Sequence, residues 1–514
     1  MKRIFNRFRR YLYLFHRWAG IVLCGFFALW FASGIFMMYV EYPALTMEER
    51  LERVPSLDFS TARLSPVEAV ARLEAGDFAI SGSPRKNVEI EMAGRDATPT
   101  DIRLAQIRGT PAYVVSVGGG AQPRVVFADS GGILAGVNDG QALDAAAEFF
   151  PKAYPVHLGR VQSDQWTVSS AMNAHRPLHH IAIGDAARTE AYVSSSTGEV
   201  VRDSTRRERV LNYFAAVTHW VYPHFLRKFP EAWGWVVNIL AGFGCLFALS
   251  GMWIGILRAR RRQPAPKSTS RRLVQWHYLL GCVFGVVLLT FVFSGWMSMN
   301  PGSLNPSREP SAGERLVFSG KDLTAGDFAD IPDSPEGAVQ GNLTHHAGHA
   351  YVAWRGRDGK LLHTQANRNS PAFPGTEKMA ARVLAEAHKL MPDSPPPELT
   401  TLTAYNTYYY SRKSGPDAKP LPALRVVFPD AQATWFHLDP ETGSIVDRST
   451  RTNRLFRHLY NGLHSFDWWW LYSRRPLWDV TVIVFSLGGF SLSLLGVAIG
   501  IRRLRVWAVG TRKA

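Results

Sequence analysis

The sequence predicts a membrane α-helical bundle of four transmembrane helices, built as two span–domain–span repeats with two extracytoplasmic α+β domains. Three observations predict it. Four stretches, roughly 17–40, 233–257, 273–299 and 478–501, are apolar over 20 or more residues with no charged residue in the middle. The second half of the chain repeats the first at constant offsets. The lysines and arginines gather beside the apolar stretches.

The first stretch reads HRWAGIVLCGFFALWFASGIFMMYV, and no charge falls between Ala19 and Val40. At about 1.5 Å per residue it is long enough to cross a bilayer core of roughly 30 Å. It is too long for a signal-peptide apolar region, and Glu41-Tyr42-Pro43 offers no small-residue cleavage site, so an uncleaved anchor is expected. His16 opens it. The pattern returns as HYLLGCVFGVVLLTFVFSGWMSMN, opened by His277. Adding 261 carries His16 to His277, Gly20 to Gly281, Ser33 to Ser294 and Gly34 to Gly295. Further along, adding 245 carries Arg209 to Arg454, His219 to His464, Trp233 to Trp478, Gly251 to Gly496 and Gly255 to Gly500.

The net charge of +16 is not a nucleic-acid footprint. Eighteen cations and no acid lie in the N-terminal tail, in the loop 258–272 and in the tail 502–514, leaving the rest close to neutral. The positive-inside rule then puts both termini and that loop in the cytoplasm. Segments 41–232 and 300–477 fall outside, which is the periplasm if the membrane is a cell inner membrane. Cys24, Cys245 and Cys282 all sit in apolar stretches. The external domains therefore have no disulfides and no cysteine-ligated zinc or iron–sulfur site, and rely on their own cores.

Each external domain reads as mixed α and β. In the first, 65–75 has a serine cap and helical spacing, and AYVVSV, PRVVFADSGGIL and HHIAIGDAARTEAYVSSSTGEVV read as strands with Gly/Asp turns. In the second, HAYVAWRGRDGKLLHT, the helix EKMAARVLAEAHKLM and PALRVVFPDAQATWFHLDPETGSIV repeat the theme. Between each domain and its following span lies an aromatic, basic segment. Pro223, Pro230 and Pro476 argue against an unbroken helix there, so a bent or interfacial helix should hold His219 and His464 at the outer surface.

The HRWAG opening, QWHYLLG at the third span, hairpins ending STGEVV and DPETGSIV, and the segments NYFAAVTHWVYPHFLR and GLHSFDWWWLYSRRPLWD carry a resemblance over nearly the whole chain. It resembles the PepSY-associated transmembrane-helix family, whose better understood members act as inner-membrane siderophore-iron reductases. The resemblance implies a four-helix membrane bundle binding haem b, with PepSY-type domains outside. One departure is WHYLLG in the third span, where related chains often show a second adjacent histidine.

Repeat symmetry singles out four of the 16 histidines. His16 and His277 share a depth on the cytoplasmic side, and His219 and His464 share a position on the outer side. Two axial imidazoles from facing helices are a common haem clamp, so these four are the expected haem-iron ligands, as an inner and an outer pair. The paired glycines suit either close helix packing or room for a flat macrocycle. His224 and His458 have no histidine at the repeat position and are reserve ligands. The groups His175, His179, His180 and His345, His346, His349 are candidate external metal sites. The run AYNTYYY (404–410) reads as strand packing or as a stacking surface for a ligand.

The leading functional reading is a haem b oxidoreductase, with two haems, passing electrons across the membrane to a periplasmic ferric siderophore or similar ferric chelate. No nicotinamide or flavin module is legible, so the donor is a membrane quinol or a separate protein. The alternative is non-enzymatic: the helices anchor external domains that bind a protease or envelope partner. A transporter is disfavoured because Asn238 is the one strongly polar side chain well inside a span. Lipid bilayer is an expected partner and nucleic acid is not.

Overall fold

The computed structural model describes residues 2–80, 99–117, 121–259, 269–328, 331–366 and 370–511. The rest of the basic loop (260–268) and the last three residues of the C-terminal tail lie outside the described residues.

Four helices are long and apolar enough to cross a membrane: Lys2–Met37, Pro230–Ala259, Thr269–Met297 and Leu477–Thr511. They are referred to below as the first to fourth apolar helices. The first packs on the fourth and the second, and the third packs on the second and the fourth. Their common core holds Leu23, Phe27, Phe31, Phe247, Leu288, Val292 and Leu492. Small residues let the helices approach: a Cβ on Gly244 would lie 2.9 Å from Val292 and 3.2 Å from Phe27. The first helix starts well before its apolar run, so His16 sits about four turns inside it rather than at its beginning.

Fourteen strands form three antiparallel sheets among the described residues. In chain order they are β1 (Pro99–Ile107), β2 (Thr110–Val117), β3 (Arg124–Phe127), β4 (Val156–Val161), β5 (Leu178–Ala182), β6 (Glu190–Ser194) and β7 (Val200–Ser204). The second half adds β8 (Ala338–His346), β9 (His349–Gly356), β10 (Leu361–Gln365), β11 (Glu398–Leu402), β12 (Ala423–Val427), β13 (Trp435–Leu438) and β14 (Ile445–Ser449). β4-β5-β6-β7 and β11-β12-β13-β14 are separate four-stranded sheets, each packed on a helix, Asp139–Phe149 and Thr376–Glu386. Every strand expected from the sequence lies in one of these sheets, and the helix expected at 65–75 runs Pro66–Ile80.

The two sheet-rich segments are not independent domains. β1 pairs with β8 through Arg103 opposite Asn342 and Leu104 opposite Gly341, giving one six-stranded sheet in the order β10-β9-β8-β1-β2-β3. Its core mixes Leu57, Ala69, Ile102 and Tyr113 with Phe328, Val352 and Trp354. Half of each segment therefore completes the other's hydrophobic face.

The segments leading to the second and fourth apolar helices are broken into short pieces. The first runs through short helices Arg206–Phe214, Ala216–His219 and His224–Arg227. Pro230 then takes the first position of the long helix, where its missing N–H costs nothing. The second runs through Arg451–Arg457, a π turn at His458–Gly462, then Leu463–Ser465 and Trp469–Tyr472. Thr205 with Glu208, and Thr450 with Asn453, form capping boxes that start the two segments alike.

Candidate functional site

Each of these segments folds back to press a histidine against an apolar helix. The short helix ending at His219 packs on the first apolar helix, and the turn holding His464 packs on the third. His219 Nδ1 lies 3.1 Å from Ser33 Oγ and 3.1 Å from the Trp30 carbonyl. His464 Nδ1 lies 3.1 Å from Ser294 Oγ and 3.3 Å from the Phe291 carbonyl. Both serine hydroxyls already donate to carbonyls of their own helix, Ser33 to Leu29 and Ser294 to Phe291. Each Nδ1 must therefore carry the proton and donate, which leaves the Nε2 lone pair free. Gly34 and Gly295 make this approach possible, because a Cβ at either would stand 3.3 Å from the imidazole Cε1. The two rings meet edge to face with centres 5.8 Å apart. Burial lowers the pKa of both, and the neighbouring His464 adds to the effect on His219, so both imidazoles are neutral.

The other pair lies toward the opposite end of the bundle. His16 on the first helix and His277 on the third have ring centres 6.5 Å apart. Ser250 Oγ donates to the Phe247 carbonyl and accepts from His16 Nδ1 at 3.0 Å, which again frees Nε2. The His16 ring stacks on Phe247 at 4.7 Å. A Cβ on Gly251 would fall 2.7 Å from His16 Cε1. The match to His277 is looser. Leu495 stands 245 residues beyond Ser250, and His277 Nδ1 is buried without a partner. Both histidines open onto a cavity of about 880 Å³ whose lining includes seven glycines and the arginines Arg9, Arg10, Arg17, Arg258 and Arg503.

From His16 to Ser33 the first helix rises about 25 Å, so the two pairs stand most of a bilayer core apart. Aromatic rings fill the interval. Phe247, stacked on His16, meets Phe27, which meets Trp30. Phe31 meets Phe291, which meets His464.

A profile of the PepSY-associated TM region matches residues 13–364, about two thirds of the chain, and so takes in His16, His219 and His277. The chain belongs to the PepSY-associated TM family. With its four apolar helices, it is a membrane protein. None of the curated proteins matches it.

In this family member the four repeat-related histidines come together as two pairs, and the reserve ligands lie apart from them. His224 Nε2 bonds Ser163 Oγ at 3.0 Å. His458 bonds Tyr408 through Nε2 and Trp468 through Nδ1, so neither reserve ligand reaches a pair. The group His175, His179, His180 does not converge. Neighbours on a strand point to opposite faces, and His180 turns to Glu190 at 2.8 Å while His175 bonds Ser194. His345 and His346 diverge likewise along β8, with His345 bonding Asp327 at 3.0 Å. The run 404–410 is not a strand. Asn406 and Tyr409 form an isolated bridge, Tyr409 is fully buried, and Tyr410 bonds Asp467. The orienting role of these serines is not legible in the sequence alone. Ser33 and Ser294 were visible as a repeat-matched pair, whereas Ser250 carried no signal.

Proposed function

We propose that the chain is a two-haem b oxidoreductase passing electrons across a cell inner membrane to a periplasmic ferric siderophore or similar ferric chelate. The observation that carries this reading is the matched setting of the two histidine pairs. The rings of each pair, with centres 5.8 Å and 6.5 Å apart, would hold one haem iron between them. The Nδ1 bonds of His16, His219 and His464, which leave Nε2 available, and a glycine backbone against each pair suit that role. The five arginines lining the inner cavity suit the propionates of a haem there.

A haem held by these imidazoles would supply one-electron chemistry. The chain's own residues do the rest. Ser33, Ser294 and Ser250 hold three of the imidazoles in the ligating tautomer. Phe27, Phe31, Phe247 and Phe291 keep water out of the interval between the pairs. His16, His277, His219 and His464 are the ligands in this account. The basic tails and loop support a reading with both termini inside, and reporter fusions after Thr100 and Gly375 should signal from the outside. The like surroundings of Ser33–His219 and Ser294–His464 support reading the chain as two span–domain–span copies.

The test is quinol-driven reduction of a ferric chelate outside liposomes that carry the protein. The parent should reduce it. His219→Ala and His464→Ala should abolish that reduction while the inner haem still takes electrons from quinol. Parent-rate reduction by both variants would end this assignment.

A further inference from the structure

We propose that Asp139, His157 and His179 form a site for a divalent first-row transition metal on the first four-stranded sheet, with one coordination position open. The inference does not depend on the haem reading.

The three ligand atoms are already spaced for a metal. His157 Nε2 and His179 Nδ1 are 3.1 Å apart. Asp139 Oδ1 is 3.4 Å from His179 Nδ1 and 3.7 Å from His157 Nε2. Around an ion with bonds of about 2.05 Å, tetrahedral ligands stand about 3.4 Å from one another. A point close to 2 Å from all three atoms therefore exists, and the fourth vertex is left for water or an oxygen donor of a ligand. Two imidazoles and one carboxylate are a donor set for zinc or ferrous iron.

The surroundings prepare the set. His179 is fully buried, and its Nε2–H donates to the Val137 carbonyl at 2.9 Å. That bond fixes the tautomer and aims the Nδ1 lone pair at the other two groups, as outer partners of metal-bound imidazoles do. A bulge between His157 and Gly159, where Gly159 has φ +138°, lets His157 and Arg160 share the sheet face of His179 although they are three residues apart. Asp139 is the first residue of its helix after the Asn138 cap, and it is exposed, which leaves an entry path. Arg160 donates to the same Asp139 oxygen at 2.8 Å and 2.9 Å. It steadies the carboxylate and, being half exposed, can withdraw when a cation arrives.

The fold does not need these side chains. In the corresponding sheet of the second half, strand pairing puts Leu424 where His179 stands and Leu399 where His157 stands. Thr376, the first residue after the Gly375 cap, replaces Asp139. Leu424 is a fully buried core residue there and Leu399 packs against that core. Burying an imidazole where leucine suffices is a cost that a ligand role explains.

The test is equilibrium dialysis of the full-length, detergent-purified protein against zinc, with the zinc K-edge spectrum of the bound ion. The parent should hold one more zinc per chain than the His157→Leu/His179→Leu variant, whose leucines copy the second half. The added zinc should show two imidazole nitrogens and a carboxylate oxygen near 2 Å. Asp139→Asn, a surface change, should weaken that zinc at least tenfold. Equal zinc in the parent and the double variant would overturn the proposal, as would no zinc in the parent at micromolar concentration. If the double variant fails to fold, Asp139→Asn decides alone, and unchanged affinity there sinks the site.

Discussion

His219 and His464 lie 245 residues apart in the chain and meet edge to face with ring centres 5.8 Å apart, each tied at Nδ1 to a serine one turn or less from a carbonyl that shares the bond. Neither histidine belongs to an apolar helix. Each is carried by a broken connecting segment and pressed down on the helix before it.

The serine bonds should tune potential rather than binding. In Ser33→Ala the Nδ1–H keeps the Trp30 carbonyl but loses the hydroxyl. A net hydrogen bond of about 0.5–1.5 kcal/mol corresponds to roughly 20–65 mV for one electron. A weaker acceptor makes the imidazole a poorer donor to oxidised iron, so the outer midpoint should rise by that order with haem retained. Ser294→Ala should act alike. Redox titration followed in the Soret band checks both, and an unchanged outer midpoint in both variants would remove the serines from the site.

Gly251 and Gly25 separate ligation from packing. A Cβ at Gly251 would strike His16 Cε1 at 2.7 Å, whereas one at Gly25, away from the cavity, meets nothing within 4 Å. Gly251→Ala should displace the His16 ring and lower inner haem occupancy severalfold. Gly25→Ala should keep full occupancy and gain up to about 1 kcal/mol from helix propensity. Haem-to-protein ratios and thermal unfolding distinguish them. Equal haem in both variants would argue that His16 has no fixed position to defend.

β1–β8 pairing joins the two halves of the chain, and charge joins the six-stranded sheet to the first four-stranded one. Glu199, in the turn between β6 and β7, bonds Arg103 of β1 at 2.6 Å and Arg50 at 3.2 Å. Burial alone would raise its pKa, but Arg103 and then Arg50 hold it down at about 2, against 4.5 unfolded. A depressed carboxyl stabilises the folded state fully above about pH 4.5, and that contribution fades as pH falls toward 2. The sheet region should therefore lose melting temperature over this range, and Glu199→Gln should flatten the slope. Thermal unfolding monitored by circular dichroism from pH 7 to pH 3 tests it. Parallel curves would show that the pair does not couple to folding.

The parts legible from the sequence were those written twice. The four apolar helices, the hairpins near Gly198 and Gly443, and the four paired histidines all recur at fixed offsets. What escaped was written once or across long separations. Ser250 has Leu495 as its counterpart, so no repeat marks it. The β1–β8 junction joins residues about 240 positions apart, and nothing local to either strand announces the other. His179 and His180 are adjacent in sequence but on opposite strand faces, so proximity suggested a cluster that strand geometry forbids. The tyrosines of 404–410 resemble a strand by composition. Their hydroxyls are instead held by distant partners, Tyr405 by the Lys419 carbonyl and Tyr410 by Asp467.

The central claim is that each histidine pair holds one haem b. Pyridine haemochrome quantification per chain, on the purified parent and on the variants His16→Ala/His277→Ala and His219→Ala/His464→Ala, tests it most directly. The account predicts two b-type haems in the parent and one in each double variant, with His224→Ala/His458→Ala retaining two. A colourless parent, or double variants with the parent's haem content, would contradict it.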